Sequence, residues 1–98
     1  MTDEDKADER REWISQFNPE ALLADGFEAA IIGMGERCGQ PALVIYDAGK
    51  CIQILIDRDG MEYDEAYEYF QFNTLGAWAG ENTPVYVWRY EEPADGDG

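Results

Sequence analysis

The sequence predicts an α+β domain: a small three-stranded antiparallel sheet packed on helices, in the order α-α-β-β-α-α-β. Three observations carry this reading. Apolar residues recur at helical spacing in two long stretches, residues 47–60 and 61–75. Residues 42–46 and 83–90 are instead continuous or alternating runs rich in β-formers. The chain has 98 residues, enough for one domain with one modest core.

From the N-terminus, residues 3–17 read as a polar helix anchored at its end by Trp13, Ile14 and Phe17. Asn18-Pro19-Glu20 is a restart signal, with Asn as N-cap and Pro at the first helical position, so residues 19–24 are expected to form a short helix. Leu22 and Leu23 then face the core, and Gly26 closes the helix in a left-handed conformation. Residues 29–35 are expected as a strand with a bulge, because Ile31 and Ile32 favour β while the glycines weaken it. A turn over residues 37–41 joins it to the central strand, residues 42–46.

Asp47 caps the next helix, whose stripe of Cys51, Ile52, Leu55 and Ile56 faces the core, and Gly60 stops it. The last helix covers residues 61–75, with Asp64 near its N-cap and Tyr63, Ala66, Tyr67 and Phe70 as its core stripe. Residues 76–82 are too apolar for a solvated linker, so Trp78 is expected to plug a gap in the core. Residues 83–90 form the final strand, and Pro84 places it at an edge or starts it.

Charge sets this chain apart: 22 acids against 7 bases, no histidine, and a net charge of −15. The excess is spread along the chain. An acidic, fraying helix start covers residues 1–12, a single α+β domain covers 13–90, and residues 91–98 read as a disordered acidic tail. The domain alone holds twelve acids and four bases. This disfavours direct contact with nucleic acid or an anionic membrane, both of which need clustered Lys and Arg. The absence of imidazole removes the commonest acid–base catalyst and metal ligand. No apolar run exceeds five residues, and residues 1–5 are acidic where a signal peptide is basic and then apolar, so a cytoplasmic, reduced protein is expected. Cys38 and Cys51 form no Cys-x-x-Cys pair and are expected as free thiols.

The densest acid cluster comprises Asp57, Asp59, Glu62, Asp64, Glu65 and Glu68, against Arg58 alone. On a helix, Asp64 and Glu68, like Glu65 and Glu68, share a face with Cβ atoms about 5–6 Å apart, a spacing that costs roughly 0.2–0.5 kcal/mol per like-charge pair. Such a surface either imitates a run of phosphates or is a solvated face at a helix N-terminus. A calcium loop counted from Asp57 fails in register, since glycine falls at the fourth position rather than the sixth. Gly33-Met34-Gly35 lacks the third glycine of a dinucleotide fingerprint. No catalytic set, metal site or cofactor is expected. Tyr69 and Phe72 lie off the helix stripe and are candidates for contact with another protein.

Residues 18–28 (Asn-Pro-Glu-Ala-Leu-Leu-Ala-Asp-Gly-Phe-Glu), with Lys50-Cys51-Ile52, Arg58-Asp59-Gly60-Met61 and the run Gly-Ala-Trp-Ala-Gly-Glu-Asn-Thr-Pro at 76–84, resemble a family of short acidic proteins of unassigned function encoded in phages, prophages and bacterial genomes. The likeness covers residues 12–87. It implies a phage-type protein acting inside a bacterial cell and carries no catalytic residue. By analogy with inhibitors of host defence, the expected function is a non-catalytic inhibitor, of the anti-CRISPR or anti-restriction type. It would bind the basic nucleic-acid-binding surface of a CRISPR effector or nuclease by acidic mimicry. The alternative is a small acidic interaction module, monomeric or homodimeric, with aromatic contacts and no mimicry.

Overall fold

The computed structural model describes residues 3–90, except the side chains of residues 3–5 and 7. The expected acidic tail, residues 91–98, lies outside the described residues, as do residues 1 and 2. Helix α1 (Asp3–Phe17) leads through an irregular segment and a single 3-10 turn (Glu28–Ala30) into strand β1 (Ile31–Gly35). Strand β2 (Leu43–Asp47), helix α2 (Ala48–Asp59) and helix α3 (Tyr63–Tyr69) follow. α3 passes directly into a π-helical turn (Phe70–Leu75), and strand β3 (Val85–Val87) completes the sheet.

The class is α+β as the sequence predicts, but the sheet is mixed rather than antiparallel. Its order is β1-β2-β3, with β1 antiparallel and β3 parallel to the central β2. The reason is the connection. β1 and β2 are joined by a short hairpin loop, whereas residues 48–84 run through two helices and bring β3 back in the direction of β2, as parallel pairing requires. The anticipated irregularity in β1 is a bulge between Ile31 and Gly33.

Alternation along β2 sends Val44 and Tyr46 into the core, both fully buried, while Leu43 and Ile45 stay half-buried on the other face. Cys51, Ile52 and Leu55 of α2 complete that core with Ala66 and Phe70, and Ile56 packs against its margin. Asp47 caps α2 as expected: its Oδ1 accepts the Lys50 backbone N–H at 3.1 Å. Gly60 ends α2 with φ 71°, a left-handed position that suits a residue without Cβ.

Several local expectations are overturned. Residues 19–24 are not helical. Asn18 spends its side chain on tertiary bonds, donating to the carbonyl of Ala42 (2.8 Å) and Oδ1 of Asn82 (2.9 Å), and its own Oδ1 accepts the Glu20 N–H. Two of the segment's backbone donors are satisfied across the fold, Leu22 N–H by the Asn82 carbonyl and Ala24 N–H by the Tyr46 hydroxyl at 2.7 Å. A few residues of helix cannot compete with that, since helix nucleation is costly. Gly26, with φ 91°, instead serves the turn from Ala24 to Phe27. Leu22 is accordingly exposed, while Leu23 packs on the core.

Among the described side chains of α1 only Ile14 is buried; Trp13 and Phe17 pair edge-on with each other, ring centroids 4.9 Å apart, and remain exposed. The last helix begins at Tyr63 rather than Met61; Glu62 is its N-cap, without a side-chain cap bond, and Asp64 lies near the cap in the first turn as expected. Trp78 fills no gap and is 77% exposed. The final strand is three residues rather than eight, because beyond Val87 there is no further β2 residue to pair with before α2 begins.

Candidate partner-binding surface

α3 is a seven-residue helix held to the core by very little. Ala66 and, one turn on, Phe70 are its fully buried positions, an i, i+4 pair, so the remaining circumference faces outward. That outward surface carries Asp64, Glu65 and Glu68 together with Tyr63, Tyr67 and Tyr69, all exposed. The stripe predicted from Tyr63 and Tyr67 is thus only half a core stripe: Tyr63 is 60% and Tyr67 40% exposed. Ala66 and Phe70 take the buried side of the helix, and the two tyrosines stand at its exposed margin.

The other predicted site residues flank this helix. Glu62 precedes it, and Phe72 follows on the π-helical turn, 79% exposed. Asp57 and Asp59 end α2, where Asp57 accepts a bond from Gln53 Nε2 at 3.0 Å. Asp59 accepts both Nε and Nη2 of Arg58, each at 3.0 Å, and this hydrogen-bonded pairing lowers the Asp59 carboxyl pKa. Arg58 is further occupied by the Gly26 carbonyl, 2.8 Å from Nη1, and by the Phe27 ring, 5.6 Å from its guanidinium carbon. Asp57, Glu62, Asp64, Glu65 and Glu68 have no ion-pair partner among the described residues. The predicted acids thus lie along the consecutive residues 57–68, at the end of α2, the loop after it and the start of α3, and Asp59 is the one paired with a base.

Residues that sequence reasoning left out join this surface from β3. Tyr63 stacks obliquely on Tyr67 (6.3 Å between centroids), Tyr67 on Trp88 (5.9 Å), and Trp88 meets Phe70 edge-on (5.9 Å). Phe70 in turn meets Tyr86 (5.3 Å), which stacks on Tyr46 (5.4 Å). An unbroken line of rings thus runs from the exposed end of α3 into the core. The i, i+4 spacing of Tyr63 and Tyr67 was a signal for its first step, but Trp88 arrives only through the parallel pairing of β3.

Chemically, carboxylates interleaved with tyrosine rings suit guanidinium groups, which pair with carboxylates in a fork and stack on aromatic faces. Among the described residues no group of three or more His, Cys, Asp or Glu is placed to hold a metal ion, and none of their helices is long and apolar enough to cross a membrane. Comparison with protein families, with curated proteins and with solved structures finds no match to this chain.

The two cysteines are unpaired, Cys38 exposed and Cys51 buried in the core. Burial, with a smaller push from the Asp47 carboxylate, raises the Cys51 thiol to about 12. Burial likewise raises Tyr86 to about 12, with Tyr46 and Cys51 adding to it. Both groups are held neutral in the fold, so their contribution is complete below the ordinary values of 9.0 and 10.0 and is lost as pH rises through them toward about 12. A thiol reagent at pH 8 is therefore expected to titrate Cys38 in the native protein and Cys51 only after unfolding. The urea midpoint should hold to near pH 9 and fall above it. Two fast native thiols would contradict the burial of Cys51.

Proposed function

We propose that this protein is a non-catalytic inhibitor that occupies the basic nucleic-acid-binding surface of another protein, presenting carboxylates and aromatic rings where nucleic acid presents phosphates and bases. The phage-type setting implied by the resemblance makes the target a bacterial defence protein, a CRISPR effector or nuclease. One observation carries the reading. α3 gives nearly its whole circumference to unpaired carboxylates alternating with tyrosines and buries only Ala66 and Phe70 at its base. A helix made only to support the core would not leave two aromatics of its own stripe exposed beside three uncompensated acids.

The test uses Asp64→Asn, Glu65→Gln, Glu68→Gln in one chain. This variant should fold as the parent does, relieved of its like-charge pairs. Immobilised parent protein should retain nucleic-acid-binding proteins from a bacterial lysate, release them as salt rises, and lose them to competing duplex DNA. The triple variant should retain at least about tenfold less, since each buried charge contact is worth about 1 kcal/mol or more. Equal retention by parent and variant at low and high salt would end the mimicry reading.

A second reading rests on a different observation. Tyr69, Phe72 and Trp78 are 42%, 79% and 77% exposed, the kind of aromatic anchors that protein interfaces use. If these form the contact, Tyr69→Ala with Phe72→Ala raises the off-rate while leaving the salt dependence unchanged.

A further inference from the structure

Away from α3, the segment of residues 22–27, the end of the π-helical turn and the approach to β3 enclose a cleft of about 250 Å³. Leu22, Phe27, Pro84 and Tyr86 give it mostly apolar walls. We propose that this cleft binds a small amphiphile with a compact apolar body, such as one aromatic ring, and a single cationic amine head.

The walls fix the body of the ligand. A dry cavity of about 150 Å³ accepts benzene, so this cleft takes a ring with a short side chain. Thr74 supplies the polar anchor. It lines the cleft, is only 8% exposed, and its hydroxyl has no hydrogen-bond partner among the described residues. A buried hydroxyl left unmatched is costly and is normally satisfied by protein, water or ligand. Thr74 also lies in the π-helical turn, where Gly76 N–H reaches back five residues to the Gln71 carbonyl at 3.1 Å. Such turns are rare and frequently mark functional sites.

The rim fixes the charge. Asp25 lines the cleft, is exposed, and forms no ion pair among the described residues. Among the described residues no Lys or Arg lines the cleft, and Arg58, which touches Gly26, has its guanidinium bonded to Asp59 and the Gly26 carbonyl. On a chain of net charge −15, that rim attracts an ammonium and repels a carboxylate. None of the cleft's lining residues belongs to α3, so the proposal stands apart from the partner-binding reading.

The full chain, followed by amide NMR, decides the matter with 2-phenylethylamine and 3-phenylpropionate as probes. The amine should shift the amides of residues 22–27, 73–77 and 86 saturably, with a dissociation constant on the order of 1 mM for a ligand of nine heavy atoms. The carboxylate should leave them in place at the same concentration. Thr74→Val, which keeps the shape and removes the hydroxyl, should weaken the amine about two- to tenfold. Asp25→Asn should weaken it about threefold and flatten its salt dependence. Unshifted amides distant from the cleft show that both variants are folded. The proposal is overturned by any of three results: no saturable shift by about 10 mM amine, ten times the expected constant; equal binding of amine and carboxylate; or shifts confined to α3, which would mean condensation on its acids.

Discussion

Phe70→Ala is expected to cost the domain about 3–5 kcal/mol, the scale of removing a fully enclosed aromatic ring. Phe70 is 0% exposed and closes the junction between α3 and the π-helical turn. Its ring meets both Tyr86 and Trp88 edge-on, so truncation removes two ring contacts to the last strand and the residue after it, as well as buried area, and leaves Tyr67 on Trp88 as the remaining one. Against a total stability of about 5–15 kcal/mol for a protein of this kind, that loss is about a fifth of the whole or more. Urea unfolding checks it: the midpoint should drop by more than about 1 M at unchanged slope. Tyr63→Ala is the comparison. It removes a ring from the same helix, but one 60% exposed, and should shift stability by no more than about 0.5 kcal/mol. Similar midpoints for the two variants would show that Phe70 is not the pin that holds α3 down.

Asp47→Ala should have the next largest effect, about 2 kcal/mol, from losing a helix cap and stranding charged and backbone partners. The carboxylate works at both oxygens: Oδ1 caps α2 through Lys50 N–H, and Oδ2 accepts Arg89 Nε at 2.9 Å. It thereby ties the start of α2 to the chain leaving β3. The Asp47 side chain is 11% exposed and that of Arg89 59%, so the two ends of the pair are unequal. Arg89→Ala should cost under about 1 kcal/mol, as a pair with one end in solvent does. Asp47→Asn keeps the cap and should recover most of the loss. Thermal melts should place Asp47→Ala about 10 °C below the parent and Arg89→Ala within a few degrees of it. Equal midpoints for these two variants would make the ion pair, rather than the cap, the source of the stability.

The elements that sequence reading located best are those whose cues are local. Asp47 as a cap, Gly60 as a stop and the Cys51, Ile52, Leu55 stripe depend on residues within a turn or two of each other, and all three stand in the fold. The hairpin of β1 and β2 was visible for the same reason, down to its irregular glycine-containing strand. The readings that failed needed distant partners. Asn18 was read as a cap for the residues after it, but its side chain serves Ala42 and Asn82, and no local pattern announces that. The direction of β3 follows from how two helices carry the chain back, which alternation within residues 83–90 does not encode. Trp78 was assigned to the interior on hydrophobicity alone, and a large aromatic side chain is no less ready to stand outside a core this small. The acids around α3 were legible individually. Their alternation with exposed rings emerged only with Tyr63 and Tyr67 released from the core and Trp88 brought beside them.

The parallel closure of the sheet also sets the order in which the domain is completed. β1 and β2 adjoin in sequence, and α2 starts on the residue after β2, so this half of the molecule needs only short loops to assemble. β3 pairs with residues some forty positions earlier, Val85 with Ile45 and Val87 with Asp47. On the ribosome, a nascent chain that has already extruded both helices still lacks the strand that covers Tyr46 with Tyr86. Until Trp88 emerges, the line of rings is incomplete and the edge of β2 that β3 takes stays unpaired. Non-local pairing of this kind is the slow part of folding. The strong negative charge already carried by the emerged portion makes unfinished copies repel one another, whatever partner the finished protein meets.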